Sequence, residues 1–187
     1  MYIEQIKKYT PKNDLEAMEK KIVLDYIKDY PNTVLTRDNK IAHICVSGFI
    51  LNKAMDKTLM IHHNIYKSWG WTGGHADGNS DLRAVALKEA REETGVTDFT
   101  PISTEIASLD ILPVPPHIKN GKPVNAHLHL TITYLLMAKE DAELTIKPDE
   151  NSGVAWLPVT DLKDYCIEPI MLPIYEKLVA RAKGLSR

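Results

Sequence analysis

The segment spanning residues 73–96 constrains the fold of this chain more than any other part of its sequence. A short aromatic strand, Trp69–Thr72, runs into the pair Gly73-Gly74, where the backbone can approach another group with no side chain in the way. The pattern then predicts a helix over Leu82–Thr94, and Gly95 follows at the position where a left-handed cap ends a helix most easily. The fold must therefore hold a strand, a glycine turn and a helix close together.

Three acids of the predicted helix, Glu89, Glu92 and Glu93, lie on one side of it. At about 100° per residue they share an arc of about 100°, which continues an apolar side begun by Leu82. Like charges at this spacing repel one another, and Lys88 alone cannot neutralise three carboxylates. A divalent cation can, and oxygen ligands suit Mg²⁺ or Mn²⁺ better than zinc. A solvated acidic face is the alternative for the helix alone, but the adjoining glycine pair favours a metal site.

This segment resembles the Nudix box, whose pattern is a glycine, any five residues, a glutamate, any seven residues and then Arg-Glu-aliphatic-x-Glu-Glu-x-Gly-aliphatic. Three positions depart from it: Ser80 replaces the first glutamate, Lys88 the arginine, and Ala90 a larger aliphatic residue. Lys88 keeps the positive charge of the arginine but not its planar grip on a carboxylate. The positions that match the pattern without a gap are Gly74, Glu89, Glu92, Glu93, Gly95 and Val96.

The resemblance implies a catalytic site in which the box glutamates hold Mg²⁺, with Mn²⁺ as a substitute, against a diphosphate. By this resemblance Glu89 and Glu93 form the best metal pair, and Glu92 is a third ligand or a base. The carbonyl group of Gly73 is the expected backbone ligand. Lys88 belongs to the catalytic set as the residue that orients the acids. The implied reaction is attack of water on one phosphorus of a small diphosphate substrate.

Strands dominate the middle of the chain, one helix interrupts them, and helices lie at both ends. This order predicts an α/β or α+β fold and not a doubly wound sheet, because strict βαβ alternation is missing. The Nudix resemblance implies an α/β/α sandwich with a mixed β-sheet and an added N-terminal helix. We expect residues 1–35 to form a helical extension packed on the domain, and residues 36–187 to form the Nudix hydrolase domain. The predicted strands are 41–51, 58–63, 69–72, 102–112, 126–137 and 154–157; the predicted helices are 13–30, 82–94, 161–165 and 169–183.

The predicted N-terminal helix begins at Asn13 or Asp14, either of which can cap it, and Pro31 follows its end. As an addition to the domain, this helix offers a surface for a homodimer contact. Its expected apolar side consists of Leu15, Met18, Ile22, Leu24, Tyr26 and Ile27.

A polar face on the strand 126–137 is a second candidate for ligand contact. His127, His129, Thr131 and Thr133 alternate with leucine and isoleucine, so they share one side of the strand. This side either lines the substrate pocket, with His127 and His129 as substrate-binding residues, or forms an exposed outer face of the sheet. His75 beside the glycine pair is a further candidate substrate-binding residue.

Two acids, Asp149 and Glu150, precede the last predicted strand. Some Nudix enzymes take their general base from a late loop, so either acid is a candidate for this role. The alternative is that both are ordinary solvated loop residues.

The net charge indicates the class of partner, and the cysteines indicate the cell compartment. A formal net charge of -2 gives no sign of a nucleic-acid or membrane surface, so we expect a small-molecule diphosphate as the partner. No stretch of sequence is long and apolar enough to span a bilayer. Cys45 and Cys166 match no metal-ligand spacing, and we expect both to be reduced and buried in a cytoplasmic protein.

Two other functions fit parts of the sequence. A non-catalytic Nudix domain that senses a metabolite is compatible with the departures at Ser80 and Lys88. Isopentenyl diphosphate isomerase resembles Nudix proteins in fold, and His75 is reminiscent of its degenerate box. That isomerase needs a cysteine where this chain has Gly73, however, and it disrupts the Glu-Glu pair that is intact here.

Overall fold

A computed structural model describes residues 2–119 and 121–185 of the chain. It contains five helices and ten strands in these residues. The helices are α1 (Tyr2–Lys8), α2 (Asp14–Asp29), α3 (Leu82–Thr94), α4 (Leu162–Tyr165) and α5 (Leu172–Leu185). The strands are β1 (Ala42–Leu51), β2 (Lys57–His63), β3 (Trp69–Gly70), β4 (Thr72–His75), β5 (Thr100–Pro101), β6 (Ser108–Val114), β7 (His117–Lys119), β8 (Lys122–Val124), β9 (His127–Met137) and β10 (Asn151–Pro158).

Strand β1 is the centre of a mixed sheet, as predicted. It runs parallel to β9 and antiparallel to β2 and β4, in the order β10-β2-β1-β9-β5. The short strands β3 and β4 pair with β2 and β1, and β6 pairs with β9. All ten residues of β1 are buried, because both of its edges are paired and both of its faces are covered.

Helices cover both faces of the sheet, which confirms the predicted α/β/α sandwich. On one face Ile44 and Val46 of β1 pack with α3 and with the N-terminal helices α1 and α2. On the other face Phe49 and Leu135 pack with α4 and α5, where Tyr175 stacks on Phe49. None of the described helices is both long and apolar enough to cross a membrane.

The N-terminal region contains the predicted helix and one helix more. Asn13 caps α2 by accepting a hydrogen bond from the N–H of Glu16, and α1 precedes it. The predicted apolar side of α2 is wrong at three positions, because Leu15, Met18 and Ile22 are exposed.

The buried charge of Glu16 explains which side of α2 faces the domain. The residues of α2 that are buried are Glu16, Val23 and Ile27, which lie within about 40° of one another around the helix. Glu16 pairs with Arg181 of α5, and this ion pair turns the opposite side of α2 toward solvent. A homodimer contact through this exposed side stays a prediction.

The strand predicted over 102–112 is wrong in its first half, because the strand β6 begins only at Ser108. The chain leaves the sheet between β5 and β6, where the Ser103 hydroxyl accepts a hydrogen bond from the N–H of Glu105 and forms a local turn. The Pro-rich loop that follows contains the small hairpin β7–β8, which the sequence did not predict.

Candidate active site

Helix α3 has the predicted bounds, and its two ends explain them. Asp81 caps the start by accepting a hydrogen bond from the N–H of Ala84 at 3.1 Å. Gly95 ends the helix with φ of 76°, a left-handed conformation that residues with a Cβ adopt at a cost. Between these caps α3 packs against β1 and β4, so its acidic residues face the glycine pair of β4.

Glu93 is the buried acid of the site, with 2% of its surface exposed. Its Oε2 accepts a hydrogen bond from the backbone N–H of Gly73 at 2.8 Å. Asn151, at the start of β10, donates from Nδ2 to the carbonyl oxygen of Glu93 at 2.9 Å. The glycine turn therefore holds the carboxylate of Glu93, and the last strand of the sheet holds its backbone.

The surroundings of Glu93 disfavour its charged form. Burial raises the pKa of Glu93 to about 8, and the nearby carboxylates of Glu150 and Glu89 act in the same direction. The N–H of Gly73 and the charge of Lys147 oppose this shift without cancelling it. Two carboxylates thus act on the buried carboxylate of Glu93, and a bound cation would relieve the repulsion among the three.

Glu89 lies against Gly74 at a distance that admits no side chain there. A Cβ atom built on Gly74 would lie 2.6 Å from the carboxyl carbon of Glu89. Only 13% of the Glu89 side chain is exposed. The glycine of the box therefore makes room for the carboxylate that follows it on α3.

Glu92 is the most exposed of the three box acids and is held by two lysines. Lys88 Nζ lies 3.1 Å from Oε1 of both Glu89 and Glu92. Lys147 Nζ lies 3.3 Å from Glu92 Oε2 and 2.9 Å from Glu150 Oε2. The two lysines, Lys88 above all, hold the pKa of Glu92 below its usual value.

The structure brings the predicted residues Gly73, Glu89, Glu92 and Glu93 together between β4 and α3, with Lys88 at the rim. Their roles as metal ligands and catalytic groups stay predictions. The donor atoms are carboxylate oxygens and a backbone carbonyl, the set that Mg²⁺ prefers, and the residues present therefore fit this ion.

Two residues of the site lie outside the box. Of the two late acids Glu150 joins the site through Lys147, whereas Asp149 is exposed. Lys147 was not predicted at all. Its spacing to Glu150, three residues, was the available signal, but such pairs are common on surfaces.

The polar face of β9 turns inward. Thr131 and Thr133 are 2% and 0% exposed, so the interpretation of this face as an exposed outer surface is wrong. His127 and His129 continue the same face toward the start of the strand and are half-buried. Contact of these two histidines with a substrate stays a prediction.

His43 of β1 and His75 of β4 lie with His127 and His129 in one cluster. Neighbouring rings in this cluster have centroids between 5.0 and 5.2 Å apart. Burial lowers the pKa of His129 far below its usual value, and the other imidazoles add to this shift. His129 is therefore neutral at neutral pH. His43 was not predicted as a site residue, because its strand has the continuous apolar pattern of a core strand.

The surroundings of Gly73 decide whether a cysteine could stand at this position. A Cβ atom on Gly73 would lie 2.6 Å from the hydroxyl of Ser47 and 2.7 Å from the carbonyl oxygen of Val46. The cysteine that the isomerase needs therefore has no room at this position.

Cys45 and Cys166 are both buried and free, as predicted.

Comparison with known proteins agrees with this geometry. Residues 42–178 match the family model of the NUDIX domain. No curated protein matches the chain significantly. Among solved structures, an Ap4A hydrolase from C. elegans in a binary complex is 17% identical with a TM-score of 0.53, covering 75% of this chain and 98% of that one.

Two other solved structures share the fold at similar coverage. A NUDIX-family hydrolase from Clostridium perfringens is 24% identical with a TM-score of 0.52, covering 74% of this chain and 96% of that one. The NUDIX domain of NrtR from Shewanella oneidensis, complexed with ADP ribose, is 16% identical with a TM-score of 0.54, covering 82% and 97%. At these identities the structures show a common fold, and the family model covers most of the chain. This protein belongs to the NUDIX domain family and is a Nudix hydrolase.

Proposed function

We propose that this Nudix hydrolase cleaves a diphosphate linkage in a nucleoside diphosphate derivative or a related phosphorylated metabolite, and that it requires a divalent metal ion. The observation that supports this most is the position of Glu93. Its carboxylate contacts the glycine turn, and burial, together with two nearby carboxylates, raises its pKa. A buried carboxylate beside other acids is costly to charge without a cation, and a cation there would bind the phosphate oxygens of a substrate.

The residues that would hold Mg²⁺ are Glu89 and Glu93, with Glu92 as a third ligand and the carbonyl of Gly73 as a backbone ligand. When bound, Mg²⁺ would neutralise charge on the diphosphate oxygens and lower the pKa of a coordinated water. Mn²⁺ prefers the same oxygen ligands and would substitute for it.

The remaining polar groups would position these ligands and move a proton. Lys88 is a positioning residue, since one ammonium group contacts both Glu89 and Glu92. Lys147 positions Glu150 through a contact of 2.9 Å. Glu150 then stands beside the acid cluster as the candidate base, which would accept a proton on its carboxylate from the attacking water.

The proposed substrate class is tested by a release assay. Purified protein with Mg²⁺ or Mn²⁺ is offered dinucleoside polyphosphates, ADP ribose, nucleotide sugars and nucleoside triphosphates, and the release of phosphate or of nucleoside monophosphate is measured. We expect turnover of at least one compound that contains a diphosphate linkage, and none in EDTA. Absence of turnover across the panel would contradict the proposal, and tight binding without turnover would favour the metabolite-sensing function instead.

Replacing Gly74 by alanine is expected to lower kcat by about 100-fold. The added methyl group would lie 2.6 Å from the Glu89 carboxyl carbon, so Glu89 must move by close to 1 Å, a displacement that can cost this much. The measurement is steady-state kinetics on the best substrate of the panel. Gly184→Ala is the matched control, since a Cβ there meets no atom of the described residues within 4 Å. Equal kcat for both variants would contradict the role given to Gly74.

A further inference from the structure

The histidine cluster contains the arrangement of a second metal site. Nitrogen atoms of His43, His75 and His129 and the sulfur of Cys45 all lie within 4.8 Å of one another. We propose that these four residues bind a transition-metal dication of the zinc class, at a site separate from the glutamates of α3.

The sheet register places the four side chains on one face. His43 and Cys45 alternate on β1 and so point the same way. His129 of β9 is the direct partner of His43, and His75 of β4 is the direct partner of Cys45. Directly paired residues present their side chains to the same side, so three adjacent strands converge on one point.

His43 carries the observation that most favours a ligand. It is 4% exposed, and its Nε2 has no hydrogen-bond partner among the described residues. Its Nδ1 lies 3.0 Å from the carbonyl oxygen of Asn39, which can only accept, so the ring proton is on Nδ1. Nε2 therefore presents a lone pair that is buried and unused, an arrangement that costs free energy unless something binds it.

A second chain of hydrogen bonds orients His129 in the same way. The carbonyl oxygen of Asn125 lies 2.8 Å from His127 Nδ1, which must therefore donate to it. In the neutral form of His127, Nε2 is then an acceptor, and it lies 3.1 Å from His129 Nε2. His129 donates from Nε2 and keeps a lone pair on Nδ1. Metal-binding histidines characteristically donate their other nitrogen to such an outer partner.

The donor set selects the metal. Three imidazoles and one thiolate are soft to borderline ligands, which suit zinc and not Mg²⁺. In a tetrahedral zinc site the ligand atoms lie about 3.3–3.8 Å apart, so each atom must move by less than about 1 Å to close the present cluster. Cys45 would bind as the thiolate and release its proton to solvent, and no electron is transferred.

Such a site would be structural, and it would fix the position of β4, the strand that carries the glycine turn. Four protein ligands leave no open position, which is the pattern of structural zinc sites. By binding His75, the ion would link β4 to the ligands on β1 and β9. Gly73, which donates to Glu93, is two residues before His75 on the same short strand. The site would thus fix the strand that presents the glycine turn to the box acids.

Cobalt binding tests this proposal. The 187-residue protein is treated with EDTA, dialysed and titrated with Co²⁺, and near-ultraviolet and visible absorption are recorded. We expect one tightly bound equivalent, with a thiolate-to-cobalt charge-transfer band and the intense visible bands of tetrahedral cobalt. Zinc is then titrated against the cobalt complex and is expected to displace it.

Variants assign the bands to individual residues. Cys45→Ser should remove the charge-transfer band, whereas Cys166→Ser, the matched buried cysteine outside the cluster, should keep it. Glu93→Gln should keep it as well, because the glutamate site is separate. His129→Gln, at a half-buried position, should weaken zinc binding by at least about 100-fold, which tests the site even where Cys45→Ser fails to fold. A charge-transfer band that survives in Cys45→Ser, or no such band in the wild-type protein, would overturn the proposal.

Discussion

Replacing Glu93 by glutamine is expected to abolish turnover and, in the metal-free protein, to increase the free energy of unfolding at alkaline pH. The loss of turnover should be at least about 100-fold, since even an outer partner of a metal ligand can cost 10- to 100-fold. Glutamine keeps the size of the side chain and an oxygen to accept from the N–H of Gly73, but it carries no charge. The measurements are kcat with Mg²⁺ and chemical denaturation in EDTA.

The gain in stability follows from the raised pKa of Glu93. The folded protein holds this proton up to a pKa of about 8, whereas the unfolded chain releases it near the ordinary value of 4.5. The folded state therefore binds more protons between these values, and its stability falls as the pH rises through this window. Removing the charge should recover on the order of 5 kcal/mol at pH above 8, since each pKa unit corresponds to about 1.4 kcal/mol.

The comparison between wild type and variant isolates Glu93 from other groups. Buried histidines such as His129, whose pKa is lowered, make stability rise with pH below about 6.5. The pH dependence of the wild-type free energy of unfolding therefore combines the effects of Glu93 and of these histidines. Their contribution is the same in both proteins and cancels in the difference. Glu92→Gln is the matched control on the same helix, and it should gain nothing because the pKa of Glu92 is lowered. Parallel pH profiles for wild type and Glu93→Gln would show that burial of Glu93 carries no such cost.

Replacing Arg181 by methionine is expected to lower the free energy of unfolding by about 3–5 kcal/mol. Arg181 of α5 contacts both carboxylate oxygens of Glu16 in α2, at 2.7 and 2.5 Å. It also donates to the hydroxyl of Tyr9 at 2.7 Å and to the carbonyl oxygen of Ala107. Glu16 is only 2% exposed, so the variant would leave a charged group buried without its main partner.

The pKa of Glu16 supports this assignment. Burial alone would raise it, but the N–H of Lys12 and the contacts with Arg181 and Tyr9 hold the pKa below its usual value. The ion pair therefore contributes stability above the unfolded pKa of about 4.5, and this contribution is lost as the pH falls through the folded value. Denaturant melts of Arg181→Met at neutral pH measure it directly.

Two further variants distinguish the effect of the unpaired buried charge on stability from the effect of lost packing. The double variant Glu16→Gln/Arg181→Met should recover at least half of the loss, because it no longer leaves a buried carboxylate unpaired. Lys21→Met is the control for an exposed pair on the same helix, and it should change stability little, since Lys21 and Asp25 are both well exposed. An equal loss in the single and double variants would mean that packing, and not charge, holds α2 on the domain.

The elements that could be predicted are those whose signals are local. Asp81 and Gly95 bound α3 by capping, which involves only neighbouring residues, and the bounds agree with the structure. The buried strand β1 could be read from its continuous apolar run. The orientation of α2 could not, because Glu16 is an ordinary helix residue in the sequence and becomes a buried partner only once α5 lies beside it.

The sequence by itself determined the box. Its glycines and glutamates fall on one helix and the turn before it, so their spacing along the chain already sets which groups can share a site. Only the tertiary structure decided the rest: that Glu150 and Lys147 reach the acids, and that His43, Cys45, His75 and His129 converge. These residues come from strands and loops far apart in sequence, and they meet through β-sheet register and helix packing. Those long-range pairings depend on the burial of many side chains at once, which no single stretch of the chain encodes.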